Sequence, residues 1–170
     1  MQVFEAIRMK RAVRKFIDRQ LSEEDRLTIL NAGRRAQSSK NTQPWHFLAI
    51  KARPQLEALS SLGTYAGHVA GAAFAVAILT PDPDQNWSIV FDVGQAAAYM
   101  QLAAWERGIG SCLATIYDHN KAKDVLGLPE DIHIRIAISF GYPLKPGDMT
   151  AAPRRDGRKE LREITHYEVW

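Results

Sequence analysis

The stretch SIVFDVGQAAAYMQLAAWERG, residues 88–108, decides the fold that we predict from this sequence. Gly108 is a typical residue at the C-terminal end of a helix, so we expect one long helix over residues 88–107. Small side chains let a second backbone come close, which makes this helix a central packing element. The small residues in its middle are Gly94, Ala96, Ala97, Ala98, Ala103 and Ala104.

Segments typical of strands lie on both sides of this helix. Residues 72–79 form a continuous apolar run, which suits a strand that is buried on both faces. Residues 111–116 and the alternating residues 132–140 are predicted as two further strands, and residues 46–50 as a strand that begins after Pro44.

Shorter helices alternate with these strands, and each is bounded by a cap residue, a proline or a basic run. This alternation indicates an α/β or α+β domain. The helices are expected over residues 3–9, from Ser22 to about residue 35, from Pro54 to near Gly63, and from Asp118 to Gly127.

The character of the chain changes after Gly141. Prolines and glycines are frequent there, which makes a compact helix implausible. Apolar residues nevertheless occur near the end of the chain and need a surface on which to pack. These residues are Leu161, Ile164, Tyr167 and Trp170.

Length and composition indicate one globular domain over residues 1–170. The 19.1 kDa chain is 46% hydrophobic and 24% charged, which supplies enough apolar surface for a core and excludes a disordered chain. The apolar runs are too short to span a bilayer, and the first 16 residues lack the apolar stretch of a signal peptide. We therefore expect no membrane association.

The net charge limits the kinds of ligand that the protein is expected to bind, and the cysteine content indicates its cellular compartment. The net charge of +3 is too small to argue for nucleic acid, although it would suit a small anionic ligand. Cys112 is the single cysteine, so no internal disulfide is possible, as expected of a cytoplasmic protein. Its place in a predicted strand favours an inert core thiol.

Common catalytic motifs are absent from the sequence. The five histidines do not have the spacing of a metal site, so we expect no metal. The chain also lacks a nucleophile elbow, a Walker A loop and a dinucleotide-binding glycine motif.

Three polar segments remain as candidates for binding. Residues 10–16, KRAVRKF, could hold a phosphate or form a solvated surface run. Residues 35–45, RAQSSKNTQPW, could supply hydrogen-bond donors to a ligand or form a capped turn. The third segment is basic, and its simplest interpretation is an exposed surface patch. Its residues are Arg154, Arg155, Arg158 and Lys159.

The order of these motifs resembles the nitroreductase family, whose members are FMN-dependent enzymes. KRAVRKF is followed by SSKNTQPWHF, by DVGQAAAYMQLAAWERGIGSC and by FGYP and RKEL, so the resemblance covers nearly the whole chain. It implies an α+β fold, a three-layer α/β/α sandwich with a central, mostly antiparallel sheet. It also implies an intertwined homodimer with FMN at the interface, in which residues 142–170 form an arm that packs on the partner subunit.

The resemblance implies a role for each residue of the basic motif. Lys10 and Arg11 would hold the flavin phosphate together with Arg158 or Lys159, and Arg14 would face the pyrimidine carbonyl. The family more often has Arg-Arg-Ser at this motif, whereas this chain has Lys10 and Ala12 at the first and third positions. The loss of a forked donor and of a hydroxyl predicts weaker FMN binding.

The other cofactor residues come from two further segments. The loop at 38–43 would belong to the partner subunit, with Ser39 and Asn41 nearest the flavin, and the end of the third strand would direct backbone N–H groups at flavin N5 and O4. His68 lies near a position that can touch the pyrimidine, and a core or surface role is equally compatible. The implied residues are Arg35, Ser38, Ser39, Asn41 and Gln43, with Leu113, Ala114, Thr115 and Ile116 on the strand.

The resemblance also implies the reaction. NADH or NADPH would reduce FMN, and an oxidised acceptor such as a nitroaromatic or a quinone would then bind on the same face, in a ping-pong cycle without a catalytic side chain. Trp87, Phe91 and Tyr65 are candidate lids or core residues. The alternatives are a flavoprotein of the same fold that performs dehalogenation, enone reduction or flavin fragmentation, and a flavin-binding module without turnover.

Overall fold

An antiparallel sheet forms the centre of the molecule in the computed structural model, which describes residues 2–152 and 158–170. Its strands lie in the order β1-β2-β4-β3, so β1 and β3 are the two edges. The strands are β1 (His46–Ile50), β2 (Phe74–Thr80), β3 (Gly110–Thr115) and β4 (His133–Gly141).

Helices pack on both faces of this sheet. The α-helices of the described chain are α1 (Val3–Met9), α2 (Glu23–Arg34), α3 (Arg53–Ser60), α4 (Ser88–Glu106), α5 (His119–Leu126) and α6 (Gly147–Thr150). Short 3₁₀ turns occur at Ser39–Asn41, Ala66–Val69 and Leu161–Glu163.

Two apolar cores separate the layers. One core packs α2 and α4 on one face of the sheet and includes Ile29, Met100 and Phe140. The other packs α3 and α5 on the opposite face and includes Leu59 and Ala122. The predicted α+β sandwich with an antiparallel central sheet is therefore confirmed, and all residues of β2 are buried as expected of its central position.

The predicted helix boundaries agree with the structure to within a few residues because their end signals are local. The Ser22 hydroxyl accepts a hydrogen bond of 3.0 Å from the backbone N–H of Asp25 at the start of α2. Gly127 adopts a left-handed conformation with φ of 64° at the end of α5. These contacts lie within a few residues of sequence, which is why the sequence predicts them.

The expectation that no helix follows Gly141 is wrong. Pro146 begins the single turn of α6, a position at which a missing N–H costs nothing. Glu160 and Glu163 form a reciprocal capping box around the 3₁₀ turn at Leu161–Glu163. Proline content therefore shortened the helices of this segment without preventing them.

A buried carboxylate ties three elements together at one end of the sheet. Asp25 of α2 is 7% exposed, and it pairs with Arg107 beyond α4 and accepts a hydrogen bond of 3.2 Å from the Tyr142 hydroxyl. Burial by itself raises the pKa of Asp25, but the hydrogen bonds from Arg107, Ser22 and Tyr142 outweigh it, so the pKa lies below its ordinary value of 3.8.

The arm at 142–170 leaves its apolar residues exposed in the single chain. Leu161, Ile164 and Tyr167 are all exposed, and Trp170 is 99% exposed. The prediction that this segment packs on a further surface stays a prediction. None of the helices in the described ranges has the length and apolar character needed to cross a membrane.

Candidate functional site

The basic segment lies against the outer edge of β3. The α1 helix ends at Met9, and Lys10 turns the chain into an extended course with φ of −58° and ψ of 131°. Ala12 then forms a parallel bridge with Ser111, whose carbonyl accepts a hydrogen bond of 2.9 Å from the N–H of Val13. The sheet therefore sets the position of residues 10–14.

Two glycines of the sheet make room for this segment. A Cβ on Gly110 would lie 2.6 Å from the Cβ of Val13, and a Cβ on Gly141 would lie 2.8 Å from the ring of Phe16. Real Cβ atoms do not come this close to other atoms. Glycine at both positions is thus what allows the segment to lie flat on the sheet edge.

Lys10 and Arg14 lie near the buried thiol of Cys112, and His68 lies near Arg14. We call Lys10 and Arg14, together with the neighbouring His68, the cationic cluster. Burial lowers the pKa of Lys10, and the nearby Cys112 opposes that shift. Burial raises the pKa of the Cys112 thiol against the opposing charges of Arg14 and Lys10. The prediction that Cys112 is a buried core thiol is confirmed.

His68 has a buried ring nitrogen without a partner. Its Nδ1 lies 2.8 Å from the hydroxyl of Ser139, whereas no hydrogen bond reaches its Nε2 among the described residues. Burial lowers the pKa of His68, the backbone of Leu113 partly opposes this, and the charge of Arg14 lowers it further. An unsatisfied polar atom near the charge of Arg14 is a feature that a polar ligand would complete.

The other basic residues predicted to bind the phosphate are not part of the cationic cluster. The guanidinium of Arg11 donates to the carbonyl of Ala151 and, over 3.3 Å, to that of Met9, so part of its donor set is already used. Arg158 and Lys159 are exposed on the arm. The predicted basic patch also names Arg154 and Arg155, which lie outside the described residues.

Only some of the backbone N–H groups predicted to face the flavin lie on the edge of β3 that points away from β4. The N–H of Ile116 donates to the carbonyl of Arg135 over 2.9 Å, and antiparallel pairs alternate, so Ala114 also faces β4. The prediction that Ala114 and Ile116 offer free N–H groups is therefore wrong. The backbone N–H groups of Leu113 and Thr115 point away from β4. Among residues 2–152 and 158–170, neither N–H has a hydrogen-bond acceptor.

The loop at 38–43 is held by polar contacts and by a buried acid. The Ser39 N–H lies 3.1 Å and 3.2 Å from the two carboxylate oxygens of Asp92, which is 4% exposed on α4. The Ser38 hydroxyl accepts a hydrogen bond of 2.9 Å from the backbone N–H of Gln43. The side-chain carbonyl of Asn41 accepts one of 3.3 Å from the side-chain amide of Gln43.

This loop also contains backbone strain. Lys40, Asn41 and Gln43 have φ values of 52°, 56° and 47°, in the left-handed region that only glycine and asparagine enter at low cost. Such strain persists where the surroundings demand it and is typical of binding loops. The sequence offered Asn41 as a weak signal for this conformation and none for Asp92.

The two halves of the predicted site lie at opposite edges of the sheet. The cationic cluster borders β3, whereas the loop at 38–43 precedes β1, and two strands separate β1 from β3. At about 4.8 Å per strand, the two edges are roughly 14 Å apart. Arg35 is exposed at the end of α2, on the side of the loop. One chain therefore does not bring all the predicted residues together.

An apolar groove of about 560 Å³ begins beside Thr115. It runs between α4 and the ends of β3 and β4, with Arg135 and Asp84 paired over 2.9 Å at its polar end. Its apolar wall includes Val90, Val93, Ala97 and Leu113. Trp87 and Phe91 are exposed on the same helix region in an edge-to-face contact with ring centroids 5.3 Å apart.

Metal ligation is not a feature of the described site. Within the described ranges, no three histidine, cysteine, aspartate or glutamate side chains come together as a metal site would require.

Comparisons with known proteins agree on one family. The model of the nitroreductase family matches residues 7–66 and 60–142. A protein of Archaeoglobus fulgidus, provisionally named NADH dehydrogenase/NAD(P)H nitroreductase, is 32% identical over 170 aligned residues that cover 95% of this chain and 94% of its own.

Solved structures show the same fold. An FMN-dependent nitroreductase of Clostridium difficile superposes with a TM-score of 0.86 at 24% identity, over 99% of this chain and 100% of its own. A protein of Desulfovibrio desulfuricans, provisionally described as a nitroreductase in complex with FMN, gives a TM-score of 0.82 at 26% identity, over 100% of this chain and 98% of its own.

Proposed function

The chain belongs to the nitroreductase family, and on that premise we propose that it is an FMN-dependent NAD(P)H oxidoreductase. The observation that carries the proposal is that the segment with Lys10 and Arg14 lies along the same edge of β3 that carries the free N–H of Thr115, with the unpartnered Nε2 of His68 near Arg14. This arrangement offers cations for a phosphate or an anionic ring and polar groups for a heterocycle edge. FMN has all three of these parts.

The residues fit FMN in distinct roles. Lys10 and the free donors of Arg11 would bind the phosphate, with Arg158 or Lys159 from the arm. Arg14 and His68 would face the pyrimidine edge, where positive charge stabilises the reduced, anionic form of the ring. The N–H of Thr115 would donate to N5. Ala12 lies on the sheet edge at the position where the family more often has serine, so a hydroxyl donor is missing there. We therefore expect modest FMN affinity.

We assign the remaining cofactor contacts to a second copy of the chain. The loop with Ser38, Ser39, Asn41 and Gln43 lies at the sheet edge opposite the cationic cluster, so two chains related by a two-fold axis would complete two equivalent sites. The exposed apolar residues of the arm support this assembly, because a partner surface would bury them.

FMN when bound supplies the redox chemistry, accepting electrons from NADH or NADPH and passing them to an oxidised acceptor. The protein positions the ring and supplies charge. Binding of both substrates in turn at one face predicts ping-pong kinetics. The apolar groove beside Thr115 supports nitroaromatics and quinones as acceptors, because flat apolar rings suit its lining. A cytoplasmic location is part of this proposal, since the free Cys112 fits a reducing compartment.

The proposal is tested with purified protein and FMN. We expect a yellow protein whose flavin spectrum bleaches anaerobically with NADH or NADPH and returns when a quinone or a nitroarene is added. A colourless protein that cannot be reconstituted with FMN contradicts the proposal. Bleaching without recovery favours the specialised flavoproteins, and FMN binding without bleaching favours a module without turnover.

The Arg14→Ala variant tests the cationic cluster. We expect it to lose roughly tenfold in FMN affinity, because one charge-assisted contact is removed, with an unchanged melting temperature of the FMN-free protein. Arg34→Ala is the matched control, since Arg34 is exposed and donates to Asn31 on its own helix. Equal FMN affinity in the two variants contradicts the role of Arg14.

Mixed dimers test whether each site uses two chains. The Arg14→Ala variant removes a contact of one half-site, and the Asp92→Ala variant releases the loop that forms the other half. If both halves belong to different chains, mixing the two variants restores about a quarter of the sites, because half of the dimers are mixed and one of their two sites is intact. No recovery on mixing would mean that each site lies within one chain.

A further inference from the structure

The turn that follows α3 lies directly on the end of β3. Leu62 is 1% exposed in the apolar core, and its carbonyl accepts a hydrogen bond of 3.0 Å from the N–H of Tyr117. The next residue, Gly63, accepts at its carbonyl a hydrogen bond of 3.0 Å from the N–H of Ala66, which begins the 3₁₀ turn. Both ends of this short segment are therefore held.

Gly63 approaches the backbone of Thr115 more closely than any other residue type could. A Cβ built on Gly63 would lie well under 3.0 Å from the carbonyl oxygen of Thr115 and 3.3 Å from its carbonyl carbon. The left-handed glycines of the described chain are Gly108 and Gly127, so backbone conformation does not explain a glycine at position 63. Close packing on Thr115 explains it.

The contact lies at the end of β3, on the edge that faces away from β4. The neighbours of Thr115 are fixed, because Ile116 donates to Arg135 over 2.9 Å and Tyr117 donates to Leu62. Thr115 itself points both its N–H and its carbonyl to the free edge. The Cα of Gly63 against that carbonyl adds a steric restraint on the Thr115 backbone to the restraint from the sheet.

We propose that Gly63 is a positioning residue that sets the direction of the Thr115 N–H toward the flavin. This inference rests on the proposed function, in which that N–H donates to N5 of FMN. A donor in this place favours oxidised FMN, whose N5 carries an in-plane lone pair, over reduced FMN, whose N5 carries a proton. Gly63 therefore influences the balance between the two forms without touching the cofactor.

The Gly63→Ala variant tests this through FMN affinity and potential. We expect its affinity for oxidised FMN to fall about tenfold, the size of one hydrogen bond, with a smaller loss for reduced FMN. The two-electron midpoint potential should therefore rise by less than about 30 mV, which is the shift that a full tenfold change in the ratio of the two affinities would give. Gly71→Ala is the matched control, since a Cβ at that position meets nothing within 4 Å.

Leu62→Ala separates positioning from stability. It removes a buried side chain from the same turn but keeps the Gly63 backbone, so we expect a lower melting temperature with an unchanged FMN potential. A wild-type protein that binds no FMN defeats the proposed function, whereas a wild type that binds FMN and a Gly63→Ala variant with the same potential defeat this inference alone. A potential that moves equally in Leu62→Ala and Gly63→Ala also overturns it.

A measurement on the wild type covers the case in which Gly63→Ala does not fold. In ¹⁵N spectra recorded as FMN is added, the amide signals of Thr115 and Gly63 are expected to move together while that of Gly127, at the end of α5, stays in place. Movement of Thr115 with a stationary Gly63 contradicts the inference, because it means that the contact transmits no change between the two residues.

Discussion

Residues 10–14 and residues 38–43 are the two regions predicted to bind FMN, and they are held in place by different means. The basic segment lies flat on the edge of β3, where Gly110 leaves space for Val13. The loop at 38–43 contains three non-glycine residues in the left-handed region and is tied to α4 through Asp92.

The difference shows that a binding segment can be held in place either by close packing against a strand or by hydrogen bonds to a buried polar side chain. Close packing tolerates no added atom, whereas polar anchoring fails when a single acceptor is lost. The first region needs a glycine opposite it, at Gly110 of β3, where the backbone conformation alone would accept other residues. The second region lacks glycine where its own conformation would favour it. Substitutions to and from glycine should therefore have opposite effects in the two regions.

The largest effect is expected from Gly110→Ala. Its Cβ would meet three atoms of Val13, itself 2% exposed, so overpacking should destabilise the protein by about 3 kcal/mol and displace the cationic cluster. Urea unfolding and FMN titration measure both losses. Gly71→Ala, which meets no neighbour within 4 Å, serves as the control. A Gly110→Ala protein with wild-type stability would show that the segment does not depend on close packing.

A smaller loss, confined to stability, is expected from Asp25→Ala, which lies in neither region. Removing its hydrogen bonds to Arg107, Ser22 and Tyr142 should cost about 2 kcal/mol, with FMN affinity retained. The folded pKa is lowered, so this contribution is complete above the ordinary Asp value of 3.8 and disappears as the pH falls through the folded pKa.

Unfolding free energies measured at pH 7 and in acid test this dependence. The difference between wild type and Asp25→Ala should shrink as the pH falls below the ordinary Asp value of 3.8. A difference that grows in acid would have the wrong sign for a lowered pKa. A loss of FMN affinity would mean that general destabilisation affects the site, which would weaken the comparison between the two regions.

Asp92→Ala should release the loop at a cost of about 1.5 kcal/mol in stability, because the N–H of Ser39 loses both of its acceptor oxygens. FMN affinity should fall as well, since the loop then leaves its strained conformation. Asp92→Asn keeps one acceptor oxygen and should retain most of the affinity. If Asp92→Asn and Asp92→Ala bind FMN equally weakly, the charge of Asp92 and not its hydrogen bond is what matters.

The smallest effect, and the one of opposite sign, is expected from Lys40→Gly. Glycine relieves the left-handed φ of 52° but loses more entropy on folding, so the net gain should be about 0.5 kcal/mol. Thermal unfolding with and without FMN measures it. A destabilised Lys40→Gly protein would mean that the Lys40 side chain makes a stabilising contact, as it could in the dimer that we propose.

The sequence predicts best what depends on neighbouring residues. The strands, the start of α2 at Ser22 and the end of α5 at Gly127 follow from periodicity and caps, and they agree with the structure. The sequence also placed Lys10 and Arg14 together, because they belong to one short motif. The error over Ala114 and Ile116 has the opposite cause, because the direction of an N–H depends on strand pairing, which the residues of one strand do not encode.

By itself, the sequence determined the α+β class, the family and the motifs that suit FMN, because apolar periodicity, caps and short motifs are local properties of the chain. The tertiary structure alone decided which donors remain free, that Asp92 anchors the loop, and that Gly63 lies against Thr115. Those facts depend on contacts between residues far apart in sequence, which form only once the sheet and its layers have packed. The separation of the two predicted half-sites to opposite sheet edges has the same origin, since strand order is a property of the folded sheet.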